Sequence, residues 1–575
     1  MATTLDKVDV VTVGVGWTGG IIAAEAAKAG LKVVGLERGK TRGTEDYQHV
    51  HDELKYAVRY ELMQDVSKET LTFRNNRDEE ALPMRQLGSF LLGNNLGGAG
   101  THWNGQTWRF LPYDFEIRSM TEERYGKEKL KDEQGYQLED WGITYDELEP
   151  YFNTFEKTLG ISGEDNPLGG DRSEPYPTPP MLKSKTLKMF EKAATELELH
   201  PIMMPSANLS EKYENPDGQT INACQYCAFC ERFGCEYGAK SSPEITVIPT
   251  AQETDNFELR VHANVTEIIT DEDDDSKVSG VKFVDTLTGE EFIQPADVVA
   301  LTSYVFNNYK LLAVSDIGEQ YDPETGKGTL GRNYCYQTHG SATGFFDEQF
   351  NTFMGAGSLG MGLDDYNGDN FDHSDLDFLH GGNMAHTQTG ARPILSNTVP
   401  EGTPSWGEEF KEESIHNYTR AITVAGQGAS LPHKENYLSM DETYKDSYGI
   451  PLVKLTFNFT EQDEKLVAYL ADRAAEIMEK MGAKEVQKSG ELGDYDIVPY
   501  QSTHNTGGTT MGASKENSVV NNYLQHWDRD NLFVVGAGNF QHNSGYNPTD
   551  TVGALAYRCA EGVIKYAKEG GGRLE

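Results

Sequence analysis

Positive charge is scarce in this chain of 575 residues: 50 Lys and Arg stand against 91 Asp and Glu, a formal net charge of −41. Such a surface repels nucleic acid and anionic lipid headgroups, so neither is expected as a partner. Long apolar runs are also missing. None approaches the roughly 18 to 20 residues that cross a bilayer, and no direct membrane span is expected. The first residues hold no basic n-region, apolar h-region or twin arginine before a strand-like segment begins. The expectation is therefore a chain without an export signal of its own, cytoplasmic or else carried outward or to a membrane in complex with a signal-bearing partner. Cysteine is sparse, six in all, yet four fall between Cys224 and Cys235; such crowding suits a metal site better than a disulfide framework. No internal repeat or low-complexity linker is visible, acidic runs such as 271–275 read as solvated loops, and the tail 570–575 reads as disordered.

What is present is length enough for two or more packed domains. Residues 8–13 form a Val-rich run that reads as a buried strand, an Ala-rich helix follows around 21–29, and 32–36 reads as the next strand. This β-α-β unit is the building block of a doubly wound α/β sheet. Further buried-strand segments at 297–301 and 531–535 make the nucleotide domain discontinuous and Rossmann-like. Between them, alternating segments such as 452–457 predict an α+β substrate domain with an antiparallel sheet. The expected boundaries are a nucleotide-binding domain at 1–335, with an inserted connecting region at 110–220 and a cysteine loop at 222–240. A substrate domain at 336–495 follows, and 496–575 returns to the first domain.

Gly14, Gly16 and Gly19 give G-x-G-x-x-G between the first strand and the helix. The first glycine permits the tight turn, the second lets a pyrophosphate approach the backbone, and the third lets helix and strand pack closely. Free N–H groups at the helix start face the phosphates. Glu37 ends the second strand, where a carboxylate can accept hydrogen bonds from ribose hydroxyls. Cys224, Cys227, Cys230 and Cys235 are spaced C-x2-C-x2-C-x4-C. The first three follow the compact ferredoxin run, and the long spacer usual between zinc-binding cysteine pairs is missing. An iron–sulfur cluster is the leading expectation; zinc and free or disulfide-forming cysteines are the alternatives. Cys335 and Cys559 read as buried structural thiols.

Beyond the fingerprint, several motifs are spread along nearly the whole chain: GNNLGGAGTHWNGQTWR at 93–109, DWGITYDELEPY at 140–151, HANVTEI at 262–268, the triplet Gly331, Arg332, Asn333, HNTGGTTMG at 504–512, and NLFVVGAGNFQHNSGYNPTDTVGALAYR at 531–558. Together they resemble the glucose-methanol-choline (GMC) oxidoreductase family. The segment NACQYCAFCERFGCEYGAK at 222–240 carries a narrower resemblance, to the large flavoprotein subunits of gluconate 2-dehydrogenases and fructose dehydrogenases. The resemblance implies FAD, held by Gly14, Gly16, Gly19, Glu37, Gly98, His102, Asn104, Val265, Gly536, Ala537 and Asn547. It implies His504 as the base of the active site and Asn547 as its partner, since an amide orients a hydroxyl but cannot take its proton. His542 is a further candidate for lining the pocket. In GTHW, His102 resembles the residue through which some relatives bond FAD covalently, whereas others keep the pair with free flavin; both outcomes stay open. The four cysteines are implied as ligands of a 3Fe-4S or 4Fe-4S cluster.

These implications give a dehydrogenase that oxidises a secondary alcohol of a sugar, sugar acid or polyol and sends electrons through the cluster to a haem or quinone acceptor. A small accessory subunit and a cytochrome c subunit are the expected partners. The alternatives are a flavin oxidase of sugars or glycosides using O2, an NAD-dependent reductase, and a non-catalytic electron-transfer subunit. The pocket walls are expected between Gln337 and Pro499.

Overall fold

The computed structural model describes residues 2–47, 51–86, 88–499 and 502–574. Strand β1 (Val8–Val13) and strand β2 (Val33–Leu36) pair in parallel, joined by helix α1 (Trp17–Lys28). Val10, Val11, Val33 and Val34 are at most 2% exposed, as expected where helices cover both faces of a parallel sheet. Strand β3 (Phe257–Arg260) extends the sheet beyond β2. On the other side β1 pairs with a long strand, β6 (Glu291–Leu301), which pairs in turn with the late strand Leu532–Val534. The parallel order is thus Leu532–Val534, β6, β1, β2, β3, and the sheet is discontinuous in sequence, as expected. The first half of β6 belongs to an antiparallel meander with β4 (Ala263–Thr270) and β5 (Val278–Asp285).

A second, six-stranded sheet carries the antiparallel region. Its order is β11 (Glu485–Ser489), β7 (Thr338–Phe345), β10 (Ala421–Gly428), β9 (Gly382–Thr387), β8 (Gly360–Leu363), then Ile202–Met203 from the first half of the chain. In β10 the even positions Ile422 and Val424 are buried while Thr423 is exposed, the period of two that one packed face imposes. That face lies on helix α2 (Glu461–Lys480), capped by Thr460, whose hydroxyl accepts from Asp463 N–H. Leu466, Leu470, Ile477 and Met478 are buried there, each contributing about 1.5 to 3 kcal/mol. A side chain at Gly340 would stand 2.3 Å from the Val467 carbonyl, so helix and sheet meet at this distance only because β7 has none there.

Two expectations are corrected. Segment 452–457 is a strand with an antiparallel neighbour, yet it lies outside the substrate sheet: Pro451–Thr456 pairs with Tyr437–Lys445 and, in parallel, with Thr72–Arg74. The tail is docked through residue 574 rather than disordered. Leu574 is buried, its N–H donates to Gln525 at 2.9 Å and its carbonyl accepts from Asn521 at 3.1 Å. Hydrogen bonding and one apolar anchor outweigh the freedom that the glycines supply. Cys335 and Cys559 are fully buried. Among the described residues no helix is long and apolar enough to cross a membrane.

Candidate active site

A cavity of about 1090 Å³ lies between the nucleotide sheet and the antiparallel sheet. Its nucleotide end is built by Gly14, Gly16, Glu37, Gly98, Val265, Gly536 and Ala537. Gly14 has φ +92°, and a side chain on Gly19 would stand 2.0 Å from the Gly14 carbonyl; the third glycine lies behind the wall and lets α1 start there. The second glycine loop lies on the first, with Gly97 N–H donating to Val15 O at 2.9 Å. Glu37 is buried, accepting from Val15 N–H at 3.1 Å and Gly39 N–H at 2.8 Å. Its remaining lone pairs are those a ribose would use.

His102 and Asn104 also line the cavity. His102 Nε2 is 3.0 Å from Leu91 O, so that nitrogen carries the proton, and Nδ1 is buried without a partner. Burial pushes the imidazole down to about 3. This bare, orphaned Nδ1 belongs to a residue that lines the nucleotide cradle. It fits a cofactor that fills the cradle, because an unpaired buried acceptor is otherwise costly.

At the far end His504 and Asn547 meet, with Asn547 Nδ2 3.1 Å from His504 Nε2. The tautomer follows from the surrounding amides. Gln337 Nε2 donates to Ser544 O at 3.2 Å and Tyr546 O at 3.1 Å, so Gln337 Oε1 faces His504 Nδ1 and must accept from it. The Nδ1 atom therefore carries the proton and Nε2 is the bare, basic nitrogen. Gln427 Nε2 donates to Asn547 Oδ1 at 3.1 Å, aiming the Asn547 N–H bonds at that nitrogen. Desolvation, aided by His339, pushes His504 down to about 3, so it is neutral across ordinary pH. A neutral imidazole with an oriented lone pair is a proton acceptor for a hydroxyl.

Gln337, Gln427, His339 and His386 were not singled out from the sequence. His339 and Gln427 are paired across β7 and β10 and, with His386 of β9, line the cavity. The alternation of β10 puts Thr423, Ala425 and Gln427 on one face, but alternation alone does not tell a cavity from solvent. His542 is not among the lining residues. Trp141 Nε1 donates to His542 Nδ1 at 3.3 Å, so His542 gives its Nε2 proton to Asp114 Oδ1 at 2.9 Å; His380 Nε2 lies 2.7 Å from the same oxygen. Against the burial that would raise it, His380 and His542 hold the Asp114 carboxyl below the usual range. A metal needs a bare nitrogen from each histidine, and here Nε2 of His542 is committed as a donor. The three form a hydrogen-bonded tripod that ties the segment before Asn547 to the short helix Pro112–Phe115 and to the loop that carries His380.

Cys224, Cys227, Cys230 and Cys235 line one small cavity. The N–H groups of Tyr226 and Ala239 point at Cys224 and Cys235 sulfurs, each at 3.4 Å, and Asn208 Nδ2 lies 3.6 Å from Cys230 Sγ. No three of these sulfurs come within 4.8 Å of one another. A single zinc ion, with about 2.3 Å bonds to each sulfur, needs them closer. A larger iron–sulfur core holds its thiolates further apart and uses such N–H···S bonds. Burial raises the thiols of Cys224 and Cys230, to about 12 and about 11, so thiolates here need a cationic group to hold them.

A cradle for a dinucleotide with an oriented base at its far end is what oxidation of a CH–OH group requires, and the class is that of flavin-dependent alcohol oxidoreductases. The chain belongs to the GMC oxidoreductase family: the two family models, both described as GMC oxidoreductase, match residues 132–339 and 432–556. It is 38% identical to the gluconate 2-dehydrogenase flavoprotein of Pantoea cypripedii, over 98% of this chain and 94% of that protein. Identity to the fructose dehydrogenase large subunit of Gluconobacter japonicus is 24%, over 98% of each. The fold is also similar to that of an Aspergillus oryzae formate oxidase, with a TM-score of 0.62 and 15% identity, covering 99% of this chain and 100% of that one. FAD is the cofactor, and the reaction class is oxidation of an alcohol.

Proposed function

We propose that this chain is the catalytic flavoprotein of a dehydrogenase that oxidises a secondary hydroxyl of a sugar, sugar acid or polyol to a ketone. The observation that carries the reading is the His504–Asn547 pair, with the basic Nε2 of His504 facing a cavity continuous with the nucleotide cradle. FAD, when bound, supplies the two-electron acceptor that takes hydride from the carbon. The hydroxyl proton passes to His504 Nε2. Asn547 orients the hydroxyl and stabilises developing alkoxide charge through its N–H bonds, while Gln337 accepts from Nδ1–H and steadies the imidazolium. The polar side chains His339, His386 and Gln427 suit a polyhydroxylated substrate.

Cys224, Cys227, Cys230 and Cys235 would hold an iron–sulfur cluster, whose chemistry is one-electron carriage. That arrangement matches an acceptor such as a haem or quinone, held by partner subunits; the two relatives named as flavoprotein and large subunit support the same assembly. The test is anaerobic. Gluconate, hexoses, glycosides, inositols and polyols are added one at a time to the purified chain, and bleaching of bound flavin is followed together with iron content. Bleaching by a sugar or sugar acid, with iron bound, is expected. Stoichiometric peroxide from an iron-free protein in air would favour an oxidase instead.

A further inference from the structure

Lys240 ends the cysteine loop and is 0% exposed. Its Nζ lies 2.7 Å from Trp103 O, 2.8 Å from Cys230 O and 2.9 Å from Phe233 O. Three acceptors require three N–H bonds, which only the ammonium form has. The nearby carboxylate of Glu244 makes no ion pair with it among the described residues and accepts from Thr101 Oγ1 at 3.1 Å. A buried ammonium without a contacting counter-ion is costly unless negative charge lies close by. Lys240 Nζ sits on the carbonyl of Cys230 at 2.8 Å, so thiolates holding an iron–sulfur cluster would set the offsetting negative charge beside it.

The same residue ties two loops together. Trp103 follows His102 in the flavin loop, and Trp103 Nε1 donates to Ser241 O at 2.8 Å. Arg232 N–H, within the cysteine loop, donates to His102 O at 2.7 Å. Cys230 is the buried member of the four, whereas the other three are partly exposed, and its carbonyl is held by Lys240 on the side of the flavin loop. We propose that Lys240 is the positioning residue between the two redox sites, a fixed positive charge that holds the flavin and cysteine loops in register and raises the reduction potential of the thiolate-bound iron centre. A reduced centre carries one more negative charge, and a buried cation beside it stabilises that state.

The proposal rests on the cysteines being iron ligands, and the experiment separates the two. Lys240→Met and Lys240→Gln are purified anaerobically beside the parent chain, iron and flavin are counted, and the iron centre is titrated against redox mediators by electron paramagnetic resonance. At a fixed poise the ratio of reduced to oxidised centre is expected to fall about tenfold in both variants, equivalent to about 59 mV for one electron. Loss of iron from both with flavin retained supports the same charge requirement, expressed in loading. An unchanged potential in the iron-loaded Gln variant, which keeps N–H donors, overturns the role of Lys240 alone, as does joint loss of flavin and iron from that variant. An iron-free parent chain overturns the cluster reading and this proposal together.

Discussion

At the scale of single residues, the proposed chemistry turns on which nitrogen of His504 is bare. Two backbone carbonyls fix the Gln337 amide, that amide fixes Nδ1 as the protonated atom, and Nε2 is left to act. His504→Ala is expected to lower turnover by about 10²- to 10⁴-fold with bound flavin retained; unchanged turnover would remove this histidine from the mechanism. Gln337→Glu sets a carboxylate opposite Nδ1, favours the imidazolium and shifts the acid limb of kcat/KM upward. In the parent chain that limb is expected close to pH 3, following His504, rather than near 6.5. A limb near 6.5 in a pH–rate profile would show that the imidazole is not desolvated as the cavity wall requires. The histidine and asparagine were legible from HNTGGTTMG and GYNP through the family resemblance. Gln337 and Gln427 were not, because a glutamine in an alternating segment has no signature until its neighbours are known.

Among the elements, the start of α1 is the most exacting. The close approach of Gly19 to the Gly14 carbonyl makes Gly19→Ala a change of backbone path rather than a filled gap. Flavin absorbance per chain is expected to fall sharply, and full occupancy in a soluble variant would contradict the packing described. The Asp114 tripod is a second joint, buried at 0% exposure and bonded to both His380 and His542. Asp114→Ala strands two imidazole N–H donors and is expected to cost about 3 kcal/mol or more, measurable by denaturant unfolding of the holoprotein. β1, α1 and β2 were readable from Val and Ala runs around glycines. The membership of 451–456 in a sheet with Thr72–Arg74 was not, since a strand's pattern gives its faces and not its neighbours.

For the whole molecule, two bulk properties govern stability. Desolvation pushes His102 and His504 to about 3, and burial pushes His339, His373, His386 and His526 to about 4. The unfolded chain takes up those protons from about pH 6.5 downward, so these histidines make stability fall as pH drops from about 6.5 toward 4, against the opposite pull of Asp463, which burial raises to about 6. Tm measured at constant ionic strength is expected to decline across that range, and a flat Tm between pH 7 and 5 would contradict it. The net charge of −41 adds self-repulsion that salt screens, so Tm is expected to rise between low and about 0.5 M salt.

The sequence by itself determined the nucleotide fingerprint and the cysteine spacing, because each depends on residue types at short, fixed separations, and through the family resemblance it singled out His504 and Asn547 as the proposed catalytic pair. Only the tertiary structure decided the His504 tautomer, the withdrawal of His542 into a tripod, the docking of the tail and the place of Lys240 between two loops. Those depend on groups far apart in the chain that become neighbours when two sheets close over one cavity, and hydrogen-bond direction is settled only where they meet.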